Sequence, residues 1–374
     1  MKKVLGVMAA LAFSAGVIFM GVVQANAAEQ ERVSDGNDSY ETATYLDVNG
    51  SVTDKISDNS DIDFFRLSTD AYGALSINFQ HIYKDSLCFW KVSIYQYANN
   101  EYTLLSSRKI RLLDNENVEL PFVGVTRGAT YYIKVEGADS GAFRSAIDEK
   151  YTVKSRFIPS EYYECEENDS YETATNLPFN QNMHGVINRD SDEDFWKITA
   201  QKSGTLGIYF GHNYKDSSDS WTAYVYQYTN GEYRELSSST IYLNDKKSLK
   251  LANIPVNQNG VYYVKIKNNY NATAEEYQLK IKYQADCPGY LRASTSKKTA
   301  TLLWESVKGA DGYEVYCKKA KGTSYKKIAD TTMNTYTYKK LSGKAYTYFK
   351  VRSYVMNGNV KTYSKFSYVV KAKA

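Results

Sequence analysis

The sequence of 374 residues predicts an all-β chain of sandwich type, with two similar domains followed by a third that differs from them. Short stretches such as 73–79 and 130–135 alternate apolar and polar residues, which is the pattern of half-buried strands. Turn residues separate these stretches. After the N-terminal segment, 39–44 is the one stretch whose pattern suggests a helical turn. The length suffices for two or three domains, each with a core of its own.

The first 27 residues are organised like a signal peptide. Lys2 and Lys3 precede an apolar run over 4–23, and Ala25-Asn26-Ala27 offers a small-residue cleavage site, so we expect cleavage before Ala28 and export. The expected location is extracellular, either free or associated with the cell wall. An uncleaved anchor is the alternative, because the run is close to the roughly 20 residues that span a bilayer. No other stretch predicts a membrane span, and none is expected after cleavage.

An internal duplication organises the chain after this segment. The sequence Asn-Asp-Ser-Tyr-Glu-Thr-Ala-Thr occurs at 37–44 and again at 168–175, 131 positions later. The same offset pairs the acidic turns at 60–65 and 191–196 and the tryptophans Trp90 and Trp221. A period of this length is that of a domain and is too long for a solenoid repeat. Domains are therefore expected at 28–158 and 159–284.

The third domain is expected at 285–374. Strand-like stretches at 299–304, 312–316 and 346–354, with shorter ones between them, fill about 90 residues. Such a run of short strands is typical of an immunoglobulin-like sandwich. Pro159 and Pro288 lie at the two joins, where proline stiffens a linker and ends strand pairing.

Charge divides the mature chain into two unlike parts. Residues 28–284 carry a formal charge of −11, whereas residues 285–374 carry +13. The basic domain would attract polyanions such as an anionic cell-wall polymer. The lysines could equally keep a small sandwich soluble or hold it against the acidic body.

The four cysteines do not belong to the duplicated pattern. Cys88 and Cys165 have no cysteine at the equivalent positions of the other copy. Cys287 and Cys317 could form a bridge within the third domain, but sequence alone cannot rank the three pairings that four cysteines allow. A chain of this size does not depend on disulfides for its core.

Each copy resembles the bacterial pre-peptidase C-terminal domain, a secreted jelly-roll-like β-sandwich related to the collagen-binding domains of collagenases. In the second copy the matching motifs are the opening Glu-Glu-Asn-Asp-Ser at 166–170, Gly-Val-Ile at 185–187, Asp-x-Asp-Phe at 192–195 and Gly-x-Tyr-Tyr-Val at 260–264. The resemblance covers about residues 33–284. It implies a tandem pair of such sandwiches.

The third domain resembles a fibronectin type III module of secreted Gram-positive proteins. Trp304, Tyr313, Leu341 and the strand at 349–352 stand in the expected order. The pattern departs where that family places its corner tyrosine, because alternation leads to Thr347. The resemblance implies the fold but leaves the corner hydrogen bond in doubt.

A calcium site is the main candidate site. Asp192 and Asp194 project from one face of an extended strand, and Ca²⁺ needs six to eight oxygen ligands, so a second acidic segment must contribute. The family resemblance implies that the entry strand of the same copy supplies it. The ligands expected on this basis are Glu164, Glu166, Asn168, Asp169, Asp192 and Asp194. The alternative is that Asp169, like Asp38 in the first copy, caps a helical turn and that the acids of the Asp-x-Asp motif only decorate a turn.

The first copy lacks part of this set, because Val33 stands where the second copy has Glu164. We therefore expect weaker binding there, or none. The residues that remain are Asp35, Asn37, Asp38, Asp61 and Asp63.

Tyrosine is abundant, with 36 residues. Tyr224, Tyr226 and Tyr228 share one face of a strand by alternation, and tyrosines on a sheet face contact the ligand in the collagen-binding relatives that the copies resemble. These three are the candidate ligand-binding residues. Tyrosines also fill sandwich cores, and Trp90 and Trp221 are expected in the cores.

No catalytic motif stands out. The three histidines fit no known pattern, and His81 and His212 are a repeat pair, which favours a structural role. Paired acids such as Asp61 and Asp63 are weak evidence for acid/base chemistry. We expect a secreted, non-catalytic binding or adhesion protein with Ca²⁺-stabilised sandwiches that recognises extracellular protein or polysaccharide, and no nucleic acid. The alternative is a targeting module of a secreted protease or other hydrolase system.

Overall fold

The computed structural model describes residues 30–31 (backbone only), 36–137, 144–189, 191–270 and 274–374. These residues form strands, turns and loops, and no helix occurs among them, so the all-β prediction is confirmed. In this described part of the chain nothing has the length and hydropathy of a membrane-spanning helix. The predicted signal peptide, 1–27, lies outside the described residues, as do Val33 and Asp35.

Eleven strands form the first sandwich. They are β1 (Gln30–Glu31), β2 (Thr44–Tyr45), β3 (Ser51–Lys55), β4 (Ile62–Ser68), β5 (Gly73–His81), β6 (Phe89–Ala98), β7 (Glu101–Arg111), β8 (Asn117–Glu119), β9 (Val123–Val125), β10 (Thr130–Gly137) and β11 (Lys150–Pro159). One sheet has the order β2-β4-β10-β6-β7, and the other has the order β1-β3-β11-β5-β8, with β9 also paired to β5.

Nine strands form the second sandwich. They are β12 (Thr175–Asn176), β13 (Met183–Val186), β14 (Glu193–Thr199), β15 (Gly204–His212), β16 (Ser220–Thr229), β17 (Glu232–Tyr242), β18 (Ser248–Val256), β19 (Val261–Tyr270) and β20 (Glu276–Gln284). The sheet orders are β12-β14-β19-β16-β17 and β13-β20-β15-β18. The bounds of β14 to β17 are those of β4 to β7 moved by 131 positions, and a β-bulge recurs at the same place, between Ile94 and Tyr95 and between Val225 and Tyr226.

The two cores repeat the same aromatic packing. In the second sandwich Phe210 lies 5.4 Å from Trp221 and 5.3 Å from Tyr277, measured between ring centroids. Trp90 and Trp221 are fully buried, as predicted. The repeat histidines His81 and His212 are buried beside these tryptophans, which agrees with a structural role.

The third sandwich is smaller. Its strands are β21 (Arg292–Ser296), β22 (Thr299–Leu303), β23 (Gly312–Lys319), β24 (Lys326–Thr331), β25 (Thr335–Tyr338), β26 (Thr347–Asn357), β27 (Val360–Tyr363) and β28 (Val370–Ala372). Sheet β21-β22-β25 packs against β24-β23-β26-β27, in which β28 also pairs with β26. Trp304, Phe349 and Val351 lie in the core between them. Thr347 is fully buried and Tyr346 is exposed.

The three sandwiches contact each other at both junctions. Arg189 Nη1 donates to the Leu104 carbonyl at 2.7 Å, across the first junction. At the second, Val355 of β26 belongs to the core cluster of the second sandwich, and Lys202 pairs with Asp311 at 2.6 Å. All four cysteines are free thiols, so the bridge considered between Cys287 and Cys317 does not form.

Candidate metal centre

Acidic side chains of the second copy form a buried cluster near the first junction. The entry segment carries Glu164, Glu166 and Asn168, and the Asn168 carbonyl accepts from the Phe195 N–H at 2.9 Å, next to Asp194 in β14. The residues of the cluster are all at most 3% exposed, namely Glu164, Glu166, Asn168, Asp192 and Asp194. The entry segment is held in place by Glu164, whose backbone N–H donates to the His184 carbonyl at 2.9 Å.

Three carboxylates of the cluster lie very close together. Oxygen atoms of Glu164, Glu166 and Asp194 are all within 4.8 Å of one another. At an effective dielectric constant of about 20, two unit charges at that separation repel each other by about 3.5 kcal/mol. Carboxylates cannot all be ionised in such an arrangement unless a cation lies among them.

Part of the cluster is oriented by hydrogen bonds. Glu164 accepts from the Val186 N–H at 2.7 Å and from the Asn168 side-chain amide at 3.3 Å. Asp192 accepts from the Asn188 N–H at 2.5 Å, and Asp194 accepts from the Tyr277 hydroxyl. The hydroxyl of Tyr277 in turn accepts from the Trp196 indole at 2.9 Å. These bonds fix the directions of the carboxylates, as a preformed binding site requires.

Six buried oxygen atoms of the cluster have no hydrogen-bond partner within the described parts of the chain. They are Glu166 Oε1 and Oε2, Asn168 Oδ1, Asn188 Oδ1, Asp192 Oδ1 and Asp194 Oδ1. A buried polar atom without a partner is costly and needs an explanation. Carboxylate and amide oxygens in this number match what Ca²⁺ takes as ligands, so the residues present fit that ion.

Burial and mutual repulsion raise the pKa of each carboxylate in the cluster. The pKa of Glu164 rises to about 8, first through burial and then through the charge on Asp192. Burial raises the pKa of Asp192 to about 7. The pKa values of Glu166 and Asp194 are raised well above the usual range, again mainly by burial and then by the neighbouring acids. The cluster without a cation therefore favours protonated carboxyls.

Asp169, the sixth expected ligand, has other partners. Its carboxylate forms a salt bridge with Arg189 at 2.6 Å and accepts from the Glu193 N–H at 3.0 Å. The side chain is about one third exposed. The structure therefore places Asp169 at the edge of the cluster, where it ties the opening motif to Arg189 and, through Arg189, to the first sandwich.

Sequence reasoning did not identify two residues of the cluster, Asn188 and Gly185. Asn188 contributes one of the unpartnered oxygens. A Cβ atom at Gly185 would lie only 2.7 Å from Glu164 Oε2 and 2.4 Å from the Tyr277 hydroxyl, so a glycine makes room for both. A comparison of the two copies could have drawn attention to both positions, because they differ there. The first copy has Ser57 in place of Asn188 and Asp54 in place of Gly185.

The first copy replaces the missing glutamate with a different carboxylate. Asp54 of β3 is buried and accepts from the Asn37 side-chain amide at 3.4 Å, as Glu164 accepts from Asn168. Asp63 is buried and accepts from the Tyr151 hydroxyl, and burial raises its pKa to about 8.

Two of the remaining first-copy candidates lie nearer the surface. Asp61 is partly buried and accepts from the Ser57 N–H at 2.5 Å. Asp38 is exposed, and Asp35 lies outside the described residues. Each of Asp54, Asp61 and Asp63 thus accepts at least one hydrogen bond, whereas Glu166 of the second copy accepts none from the described residues.

The candidate ligand-binding tyrosines lie on the outer face of β16. Tyr224 and Tyr226 are partly buried and Tyr228 is exposed. Tyr171 of the opening motif lies over this face, stacked on Tyr233 with ring centroids 3.5 Å apart. The first copy has the same arrangement, with Tyr40 stacked on Tyr102 at 3.6 Å. Part of this tyrosine surface therefore anchors the opening motif.

No protein-family model and no curated protein matches the chain. Similar solved structures include a Fn3-like protein from Clostridium thermocellum, which is 29% identical and covers 22% of this chain and 86% of its own length, with a TM-score of 0.18. The pre-peptidase C-terminal domain of collagenase from Bacillus anthracis is 13% identical and covers 30% of this chain and 93% of its own, with a TM-score of 0.22. A segment of two fibronectin type III domains from chicken tenascin is 15% identical and covers 49% of this chain and 98% of its own, with a TM-score of 0.26. Each of these likenesses covers only part of the chain.

Proposed function

We propose that this protein is an extracellular, non-catalytic binding protein whose second sandwich is stabilised by Ca²⁺. The observation that supports the proposal best is the set of six buried, unpartnered oxygens on Glu166, Asn168, Asn188, Asp192 and Asp194. Glu164, Glu166, Asn168, Asn188, Asp192 and Asp194 would hold the ion. Bound Ca²⁺ would supply positive charge among carboxylates that otherwise repel each other.

The position of the cluster supports a structural role for the ion. Glu164 and Glu166 are almost completely buried, so a substrate could not reach them for acid/base chemistry. The backbone of Glu164 also packs against β9 of the first sandwich, where a Cβ atom at Gly124 would lie 2.2 Å from the Glu164 carbonyl oxygen. Ca²⁺ would therefore stiffen the junction between the two sandwiches as well as the second sandwich itself.

The division into domains at 28–158, 159–284 and 285–374 is part of this proposal. Strand pairing among the described residues stays within each of these segments except at the first boundary, where Pro159, the last residue of β11, pairs with Gly73. We keep the third, basic domain as a candidate surface for an anionic cell-wall polymer. Some of its cations already have partners, since Lys327 and Arg352 pair with the buried Glu314.

Titrating metal-free protein with Ca²⁺ tests the proposal. A ligand that binds only the native state stabilises it by about 2.7 kcal/mol at a concentration one hundred times its Kd. We expect the melting temperature of the full chain, measured by differential scanning calorimetry, to rise by several degrees. Mg²⁺ should have a smaller effect, because it keeps its water ligands and prefers octahedral geometry. An unchanged melting temperature at millimolar Ca²⁺ would exclude the site.

A further inference from the structure

The outer face of the sheet β13-β20-β15-β18 carries a groove of about 760 Å³. Amide, hydroxyl and charged side chains supply most of its lining, among them Asn182, Asn213, Ser248, Gln278, Lys247 and Lys280. This face is separate from the metal cluster, which is buried, and from the tyrosine surface, which belongs to the opposite sheet. The groove is therefore a candidate binding surface of its own, distinct from the metal cluster and from the tyrosine surface.

Lysines gather around one tyrosine on this face. Tyr209 of β15 lies directly opposite Lys250 of β18 and Lys280 of β20. Lys282, two residues further along β20, lies opposite Gly207. The ammonium groups of Lys250 and Lys282 are 5.3 and 4.8 Å from the centroid of the Tyr209 ring. The Tyr209 ring thus attracts the ammonium groups of Lys250 and Lys282. Both lie on the same side of the groove as Lys280, which lines it.

These cations have no anionic partner in the part of the chain that the structure describes. The ion pairs of the second sandwich there involve other lysines, such as Lys215 and Lys265. Burial lowers the pKa of Lys282, and the charges of Lys280 and Lys250 lower it further. Like charges held together in this way are destabilising unless a counter-charge is bound. An anionic ligand would supply that counter-charge.

The first sandwich shows that the fold does not require this arrangement. At the equivalent positions Asn78 replaces Tyr209 and Glu119 replaces Lys250. Arg156, at the position of Lys282, forms a salt bridge with Glu119 at 2.8 Å. The Arg156–Glu119 pair therefore neutralises part of this face in the first copy, where Lys154 stands at the position of Lys280. The cluster of three lysines is specific to the second copy.

The lining of the groove indicates the chemical class of the ligand. Amide and hydroxyl side chains such as Gln278, Asn182 and Ser248 can donate to and accept from sugar hydroxyls, while ammonium groups bind carboxylates. An added peptide strand would need an open sheet edge, and the groove lies instead on the face of the sheet. We propose that this groove binds an acidic polysaccharide that carries carboxylate groups. The inference deepens the proposed binding function by naming a surface and a ligand class for it.

The test is binding of polygalacturonate oligosaccharides to the full chain, measured by isothermal titration calorimetry, with dextran as the neutral control. We expect binding of the uronate and none of dextran, and the affinity should fall as salt is added. The double variant Lys280→Gln/Lys282→Gln should bind at least tenfold more weakly. Its melting temperature should be at least as high as that of the wild type, because the two substitutions remove like charges that repel each other.

The first copy provides a matched control. Lys154→Gln/Arg156→Gln removes the two cations at the equivalent positions and should leave the affinity unchanged. If the Lys280→Gln/Lys282→Gln variant bound as tightly as the wild type, binding would belong to another surface, such as the basic third domain, and the inference would be wrong. Absence of uronate binding in the wild type would also overturn it. A Ca²⁺ effect on melting is measured separately, so failure of the metal site and failure of this groove are distinguishable.

Discussion

Replacing Glu166 with glutamine should remove most of the thermal stabilisation by Ca²⁺ and should leave the metal-free protein at least as stable as the wild type. Both carboxylate oxygens of Glu166 are buried without a hydrogen-bond partner among the described residues, and other carboxylates lie within 4.8 Å. The substitution therefore replaces a carboxyl that the metal-free state keeps protonated by a neutral amide of similar shape, and it removes a charged ligand from the bound state. We expect the affinity for Ca²⁺ to fall by at least about 100-fold, the upper end of the loss caused by changing groups that only support the ligands.

A matched pair of variants separates loss of the metal site from general damage. Asp194→Asn and Asp63→Asn change equivalent buried aspartates, each of which accepts a hydrogen bond from a tyrosine hydroxyl. An asparagine oxygen can still accept that bond, so the structural cost should be similar at the two positions. Calorimetric titration should show that Asp194→Asn abolishes Ca²⁺ binding at the site of the second sandwich and that Asp63→Asn retains it. Equal loss in both variants would contradict a site confined to the second sandwich.

The strands and the repeat were predictable because they depend on local pattern. Alternation marks each strand face, and the offset of 131 positions carries strand bounds from one copy to the other without reference to contacts. The prediction that the entry segment lies beside Asp194 came from the family resemblance. The other residues of the metal cluster, Asn188 and Gly185, could not be predicted from that resemblance.

These residues of the metal cluster depend on cross-strand register. Gly185 lies opposite Tyr277, and Asp54 lies opposite Tyr151, at the same place in the two sheets. A glycine at this place leaves room for Glu164, whereas an aspartate supplies a carboxylate itself. Which of the two carboxylates fills this place, Glu164 or Asp54, can be seen only once the strands are paired, because the paired residues are far apart in the sequence. The lysine groove was missed for the same reason, since Tyr209, Lys250 and Lys280 become neighbours only in the folded sheet.

The metal-free protein should lose stability as the pH rises from about 5 to about 8. The pKa of Glu164 is raised from 4.5 to about 8 and that of Asp192 from 3.8 to about 7, so the folded state keeps protons that the unfolded chain has released. This stabilising contribution is fully present below the unfolded pKa values and is lost as the pH rises through the folded values. Each proton involved changes the free energy of unfolding by about 1.4 kcal/mol per pH unit in that window.

With saturating Ca²⁺ this dependence should disappear between pH 5 and pH 8, because the ion displaces the protons and the cluster is then ionised in the folded state as it is in the unfolded chain. The difference in melting temperature between Ca²⁺-loaded and chelator-treated protein should therefore widen from pH 5 to pH 8. Surface carboxylates affect the loaded and the metal-free protein alike, so their contribution cancels in this difference. In the variant Glu166→Gln/Asp194→Asn the difference should be small at every pH, since most of the metal effect is lost there. A difference between loaded and metal-free wild type that stayed constant over this range would show that the cluster does not exchange protons for Ca²⁺. Such a result would leave the six unpartnered oxygens without the cation that we infer for them.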